Sequence, residues 1–175
     1  MKETVLWILG LVLANNYVLS SALGLVPALG FASQRGKILS LGLTVTGVTV
    51  IISALLWWLW GSALPESFMI LAAVAITLAL LYLLQLVLGR KLGIFLPLIA
   101  LNSVVLGAAV RGMEAETIGR AALGGLGAGL GFLFALFLFA GLEKRIEPEH
   151  LPKAFRGFPV RVLAAAIVAL ALTAF

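Results

Sequence analysis

Amide side chains, glycines and prolines interrupt two stretches of this chain that are otherwise apolar enough to cross a bilayer. The first stretch runs Asn15-Asn16-Tyr17-Val18-Leu19 and then Gly24-Leu25-Val26-Pro27. The second runs Gly93-Ile94-Phe95-Leu96-Pro97 and then Asn102-Ser103-Val104-Val105-Leu106-Gly107. Amides and freed backbone carbonyls can hold an ion, its water or a redox group. Hydrocarbon offers no water to such groups, so irregular backbone is tolerated only where protein buries it or where it lines a cavity. Breaks at corresponding positions of two halves point to a transport or cofactor site. Taken singly, Asn15, Asn16, Asn102 and Ser103 read as interhelical hydrogen bonds worth about 1 kcal/mol each. Taken together, with Gly24, Pro27, Gly93, Pro97 and Gly107 as the expected helix breaks, they read as a candidate ion pathway at the midplane.

The elements that must position these residues are helices in a membrane. Of 175 residues, 63% are hydrophobic and 11% are charged, against roughly 25% charged in a soluble domain. Segments 39–60 and 68–88 contain no charge at all, and a span needs about 20 such residues. Six spans are expected, at roughly 4–30, 38–60, 68–88, 92–110, 117–142 and 157–175. The first and fifth exceed the required length, which predicts tilt or a break. The first begins after a short charged start, as a signal peptide does. Asn15-Asn16 interrupts its apolar region and no clean cleavage site follows, so a retained helix is expected. The whole is read as a single transmembrane domain, 1–175, with halves 1–88 and 89–175.

Charge sorts by side. Arg35, Lys37, Arg90, Lys91, Lys144, Arg145, Lys153, Arg156 and Arg161 fall after spans 1, 3 and 5, whereas Lys2, Arg111 and Arg120 fall on the other side. The positive-inside rule then places loops 31–37, 89–91 and 143–156 in the cytoplasm and both termini outside. Trp7, Trp57, Trp58 and Trp60 gather near the outer face, as an interfacial belt does. Three spans per half is an odd number, so similar halves must lie in opposite orientations. The expected fold is all-α, a 3+3 inverted repeat with helices 1 and 4 broken. The net charge of +5 belongs to orientation and needs no nucleic acid as partner.

Other motifs carry less. No catalytic residue and no metal site are expected: there is no nucleophile–base pair, no ligand cluster and no cysteine. No charge lies deep in a span, whereas a proton relay usually shows a buried carboxylate or histidine; the single His150 is in a loop. Gln85 reads as a packing or interfacial amide. Gly124-Gly125-Leu126-Gly127-Ala128-Gly129-Leu130-Gly131 fits no dinucleotide fingerprint. Its pairs Gly125/Gly129 and Gly127/Gly131 read as helix-packing sites where another backbone comes close, in this subunit or a partner. The mixed-charge loop from Glu143 to Arg156, stiffened by Pro148 and Pro152, reads as a solvated hairpin or a docking surface.

Four segments resemble a known family. They are Asn15-Asn16-Tyr17-Val18-Leu19-Ser20, Leu23-Gly24-Leu25-Val26-Pro27, Leu92-Gly93-Ile94-Phe95-Leu96-Pro97-Leu98-Ile99 with Asn102, and Leu151-Pro152-Lys153-Ala154-Phe155-Arg156-Gly157. In order and over nearly the whole chain they resemble the Rnf/Nqr membrane subunits, the RnfA/NqrE branch above its RnfE/NqrD sister. The resemblance implies six helices in an inverted repeat, a sister subunit of the RnfE/NqrD type as partner, and a prokaryotic inner membrane. It also implies a role in redox-driven translocation of Na+ or H+, as a non-catalytic subunit of an oxidoreductase. In the family each sister gives two cysteines to a shared 2Fe–2S cluster. Here the cluster-ligand positions hold Val26 and Ser103. Valine cannot ligate iron, and serine is a rare, harder ligand than thiolate, so no cofactor is expected from this chain. Alternative readings are a stand-alone small transporter or channel and a cysteine-free engineered variant on the same scaffold.

Overall fold

A computed structural model describes residues 2–32, 35–60, 68–88, 102–146 and 151–173. The described residues are helical with no strand. The chain runs through α1 (Lys2–Val12), α2 (Tyr17–Ser21), α3 (Leu25–Ala32), α4 (Arg35–Trp60), α5 (Met69–Leu88), α6 (Ser103–Met113), α7 (Ile118–Glu143) and α8 (Phe158–Thr173), with a 3-10 turn at Lys153–Phe155 before α8. Gly36–Leu59 and Ile118–Glu143 are long and apolar enough to cross a bilayer, and Ile70–Leu83, Ser103–Met113 and Phe158–Leu172 are shorter apolar helices. The two segments expected to exceed a simple span have different outcomes. The first is three helices separated by two breaks; the fifth is one uninterrupted helix of 26 residues, roughly 39 Å at 1.5 Å per residue. Gly93, Pro97, Glu66, His150 and the loop 89–91 lie outside the described residues.

Helix α7 is the centre of the molecule, and its glycines explain why. Residues two apart on a helix lie about 200° apart, whereas residues four apart share a face. Gly125 and Gly129 therefore form one smooth strip, and Gly127 and Gly131 another on the opposite side. The first strip meets α4: a Cβ at Gly125 would fall 2.5 Å from the Thr49 carbonyl oxygen, and one at Gly129 would overlap the Thr46 backbone. The second meets the first broken segment: a Cβ at Gly127 would fall 2.7 Å from Leu11 Cδ1, and one at Gly131 3.2 Å from Asn16 Nδ2. All four close approaches are made inside this subunit.

The α4 face that meets these glycines is polar, although it is buried. Thr46, Thr49 and Ser53 recur at helical spacing and are shielded from solvent. Thr46 donates to Gly42 O at 2.7 Å and Thr49 to Thr46 O at 2.8 Å, so both hydroxyls are satisfied within their own helix. Ser53 instead donates across to Ala108 O on α6 at 3.1 Å. Hydroxyls that bond locally can be buried beside glycine without leaving an unpaired group in hydrocarbon. At the far end of α7, Glu143 pairs with Arg161 on α8, which ties the last helix to the central one.

Candidate functional site

The two breaks are built from the same local device. At the first, Asn16 is the N-cap of α2, with φ −64° and ψ 121°, and its Oδ1 accepts from Val18 N at 2.9 Å. At the second, Asn102 is the N-cap of α6, with φ −78° and ψ 107°, and its Oδ1 accepts from Val104 N at 3.1 Å. An asparagine with extended backbone satisfies one of the donors that a helix start leaves unpaired. Inside a membrane that service is worth more, because water cannot substitute. The sequence match sets Asn15 beside Asn102; by cap geometry the counterpart is Asn16, one residue later.

Beyond the caps the two amides differ. Asn16 is fully buried, and its Nδ2 donates to Val12 O at 2.7 Å and to Gly131 O at 2.8 Å. It thus closes the end of α1, starts α2 and staples both to α7. Ser20 adds a bond from its hydroxyl to Asn16 O at 2.7 Å. Asn102 is 2% exposed, and among the described residues its Nδ2 has no hydrogen-bond partner. An unpaired buried donor costs on the order of 1–3 kcal/mol.

The breaks also touch each other. Gly24 N donates to Ser103 Oγ at 2.7 Å. Gly24 has φ +69°, and a Cβ there would stand 2.5 Å from Asn102 Oδ1 and 2.7 Å from Val104 Cγ2. Two independent demands, left-handed backbone and close approach, thus exclude any side chain at this position. Beside it, Leu23 rests on Gly107, where a Cβ would fall 2.8 Å from Leu23 Cδ1. Ala22 also has positive φ, at 55°, a conformation that costs an L-residue about 1–2 kcal/mol. Ala22→Gly is expected to raise the unfolding free energy by about 1 kcal/mol, the relief outweighing the freer unfolded chain. Thermal unfolding in detergent measures it; an unchanged or lowered midpoint would count against a strained turn.

Several expected site residues sit elsewhere. Asn15 is exposed on the turn between α1 and α2 and does not share the buried site of Asn16. Pro27 is the third residue of α3 and Gly107 lies within α6, so neither breaks a helix. Proline in a first turn lacks only an N–H that would go unpaired anyway, and Gly107 is a packing seat for Leu23. The first segment is broken at 13–16 and at 22–24, the second of which holds Gly24, one of the expected break positions. Val26 is 67% exposed on α3, whereas Ser103 faces Gly24. The polar strip Thr46, Thr49, Ser53 was not singled out from the sequence; its three- and four-residue spacing places it on one helix face without saying what that face meets. The pairing of Arg111 over the Tyr17 ring, at 4.8 Å to its centroid, joins residues far apart in sequence and had no local signal.

Residues 4–175 match the family described as Rnf-Nqr subunit, membrane protein. This chain belongs to the Rnf-Nqr family. The A component of the ion-translocating oxidoreductase complex of Syntrophotalea carbinolica is 37% identical, across all of this chain and 97% of that protein. The A component of the Na(+)-translocating ferredoxin:NAD(+) oxidoreductase complex of Acetobacterium woodii is 36% identical, across 94% of this chain and 92% of that protein. The corresponding component from Azoarcus sp. is 34% identical over all of this chain. The resemblance carried by the Asn15–Pro27, Leu92–Asn102 and Leu151–Gly157 motifs is to this same Rnf-Nqr family, in its RnfA/NqrE branch.

Proposed function

We propose that this Rnf-Nqr chain is the A-type membrane component of a redox-driven, ion-translocating oxidoreductase complex, and that the paired caps at Asn16 and Asn102 hold its two broken helices at a shared site. The observation that carries the reading is the contact between the breaks, Gly24 N to Ser103 Oγ. The names of the relatives support it. In this reading the halves form a 3+3 inverted repeat, both termini lie outside, and a sister subunit of the RnfE/NqrD type completes the core. A cavity at such a repeat interface opens to each side in turn. The Nδ2 group of Asn102 is a donor, so that group meets a permeating Na+ or H+ through the oxygen of an accompanying water.

The residues present do not fit an iron–sulfur cluster. Val26 has no donor atom, Ser103 Oγ already accepts from Gly24 N, and the chain has no cysteine. Among the described residues no three His, Cys, Asp or Glu side chains gather. Electrons that drive this chain are therefore carried by its partners in the complex. Metal analysis and EPR of the purified assembly test this, with Ser103→Ala beside the parent. An unchanged iron content and spectrum is the expected result. A cluster signal that disappears with Ser103→Ala refutes it. Purification of the chain alone, free of any flavin or iron–sulfur protein, turns the reading to a stand-alone transporter.

A further inference from the structure

A cleft of about 580 Å³ opens between α1 and the α6–α7 turn. Its inner wall is apolar, formed by Leu11, Ala121 and Gly124, and its rim carries Arg111, Arg120, Glu114 and Glu116. Aromatic rings stand behind both cations: Arg111 lies over Tyr17 at 4.8 Å and Arg120 over Trp7 at 5.8 Å from the ring centroid. A guanidinium stacked on a ring keeps its in-plane N–H donors for a third group.

The height of the rim is set by two features. The Trp57 indole donates to Ala115 O at 2.7 Å, between Glu114 and Glu116, and tryptophan marks the membrane–water boundary. Four charged side chains at one rim also belong outside the hydrocarbon. An apolar wall below and a charged rim at headgroup height fit an amphiphile with its chain against α1 and α7.

The rim selects the headgroup. Two arginines and two carboxylates sum to zero charge. Glu116 reaches Arg120 only at 3.8 Å, with both side chains exposed, which is a weak pair. Among the described residues Arg111 has no carboxylate at ion-pair distance. A purely anionic headgroup would satisfy Arg111 but face Glu114 and Glu116. A choline group has no N–H to donate to Glu114, and the two rings of the cleft already carry arginines, Arg111 over Tyr17 and Arg120 over Trp7.

We propose that this cleft holds one phospholipid whose headgroup carries both a phosphate and a primary ammonium. The phosphate lies on Arg111 and Arg120, and the ammonium lies on Glu114. Thermal unfolding of the delipidated full chain in nonionic detergent tests it, with phosphatidylethanolamine, phosphatidylglycerol, phosphatidylcholine and soluble O-phosphoethanolamine added separately. Phosphatidylethanolamine is expected to give the largest upward shift of the midpoint. O-phosphoethanolamine, lacking a chain for the apolar wall, is expected to give none. Glu114→Gln should weaken the ethanolamine lipid roughly tenfold and bring it level with the glycerol lipid, since a charge-assisted bond is lost. Arg111→Gln should weaken both. Glu114 is exposed, so its variant tests selection without disturbing the core. Equal shifts from the three lipids, an effect of O-phosphoethanolamine equal to the lipid's, or an unchanged preference in Glu114→Gln would each overturn the proposal.

Discussion

Gly129→Leu is expected to leave almost no folded protein, whereas Gly47→Ala is expected to fold as the parent does. A Cβ at Gly129 would overlap the Thr46 backbone, and one at Gly125 would stand 2.5 Å from the Thr49 carbonyl oxygen. Neither obstacle is the flexible end of a side chain. Relief requires α4 to move bodily away from α7. That movement would also stretch the Ser53 bond to Ala108 O and loosen α6, whose cap forms the second break. Overpacking a well-filled core costs about 1–3 kcal/mol and more where backbone must shift; leucine adds three carbons beyond the offending Cβ. Gly129→Ala should therefore be intermediate and Gly129→Leu extreme. At Gly47 nothing among the described residues stands within 4 Å of the added Cβ, and alanine is the better helix former by about 1 kcal/mol. The yield of monodisperse protein and its thermal midpoint in detergent separate the three variants. Wild-type-like behaviour of Gly129→Leu would show that α7 does not pack on α4 in this way.

Membrane helices lack a hydrophobic drive towards each other, so close packing must supply the association. That is why the glycine strips could be read from sequence as packing sites, while the surface they meet could not. Spacing alone shows that Gly125 and Gly129 share a face; it does not say that Thr46 and Thr49 stand opposite. The breaks were legible for a similar reason. An asparagine before a helix start is a local signal, and both Asn16 and Asn102 act within two residues of themselves. Gly24 marked a break correctly, but Pro27 and Gly107 were poorer guides to where a helix stops. Pro27 is compatible with a first turn, and Gly107 answers to a neighbour, Leu23, from another segment. Long-range pairings such as Asn16 with Gly131, 115 residues away, leave no trace in either local pattern. The same holds for the cleft, whose arginines and aromatic rings come from different segments and meet only in the folded chain.

The two asparagines, alike as caps, are expected to respond differently to replacement. Asn16→Leu removes the bond to Val18 N and both bonds from Nδ2, leaving the Val12 and Gly131 carbonyls without that donor. Each buried group left unpaired costs about 1–3 kcal/mol, so a loss of about 3–5 kcal/mol is expected, enough to unfold most of a marginally stable chain. Among the described residues, Asn102→Leu removes only the side-chain bond to Val104 N and eliminates a donor that has no partner there. Its expected cost is about 1 kcal/mol, in the range of a lost cap. Aspartate refines the comparison, because its carboxylate can still cap. At position 16 it loses the two donated bonds and sets a negative charge against two carbonyls, so Asn16→Asp should fare no better than Asn16→Leu. At position 102 the cap survives and only the unpaired N–H group is lost, so Asn102→Asp is expected to keep the fold. If Asn102 meets the water of a permeating ion, Asn102→Leu assembles normally and translocates ions poorly. Stability measured in detergent and ion uptake measured in proteoliposomes of the whole complex separate these outcomes. Equal destabilisation at the two positions would mean that Asn102 has a partner of its own. Full ion uptake by Asn102→Leu would remove it from the pathway and leave it a cap alone.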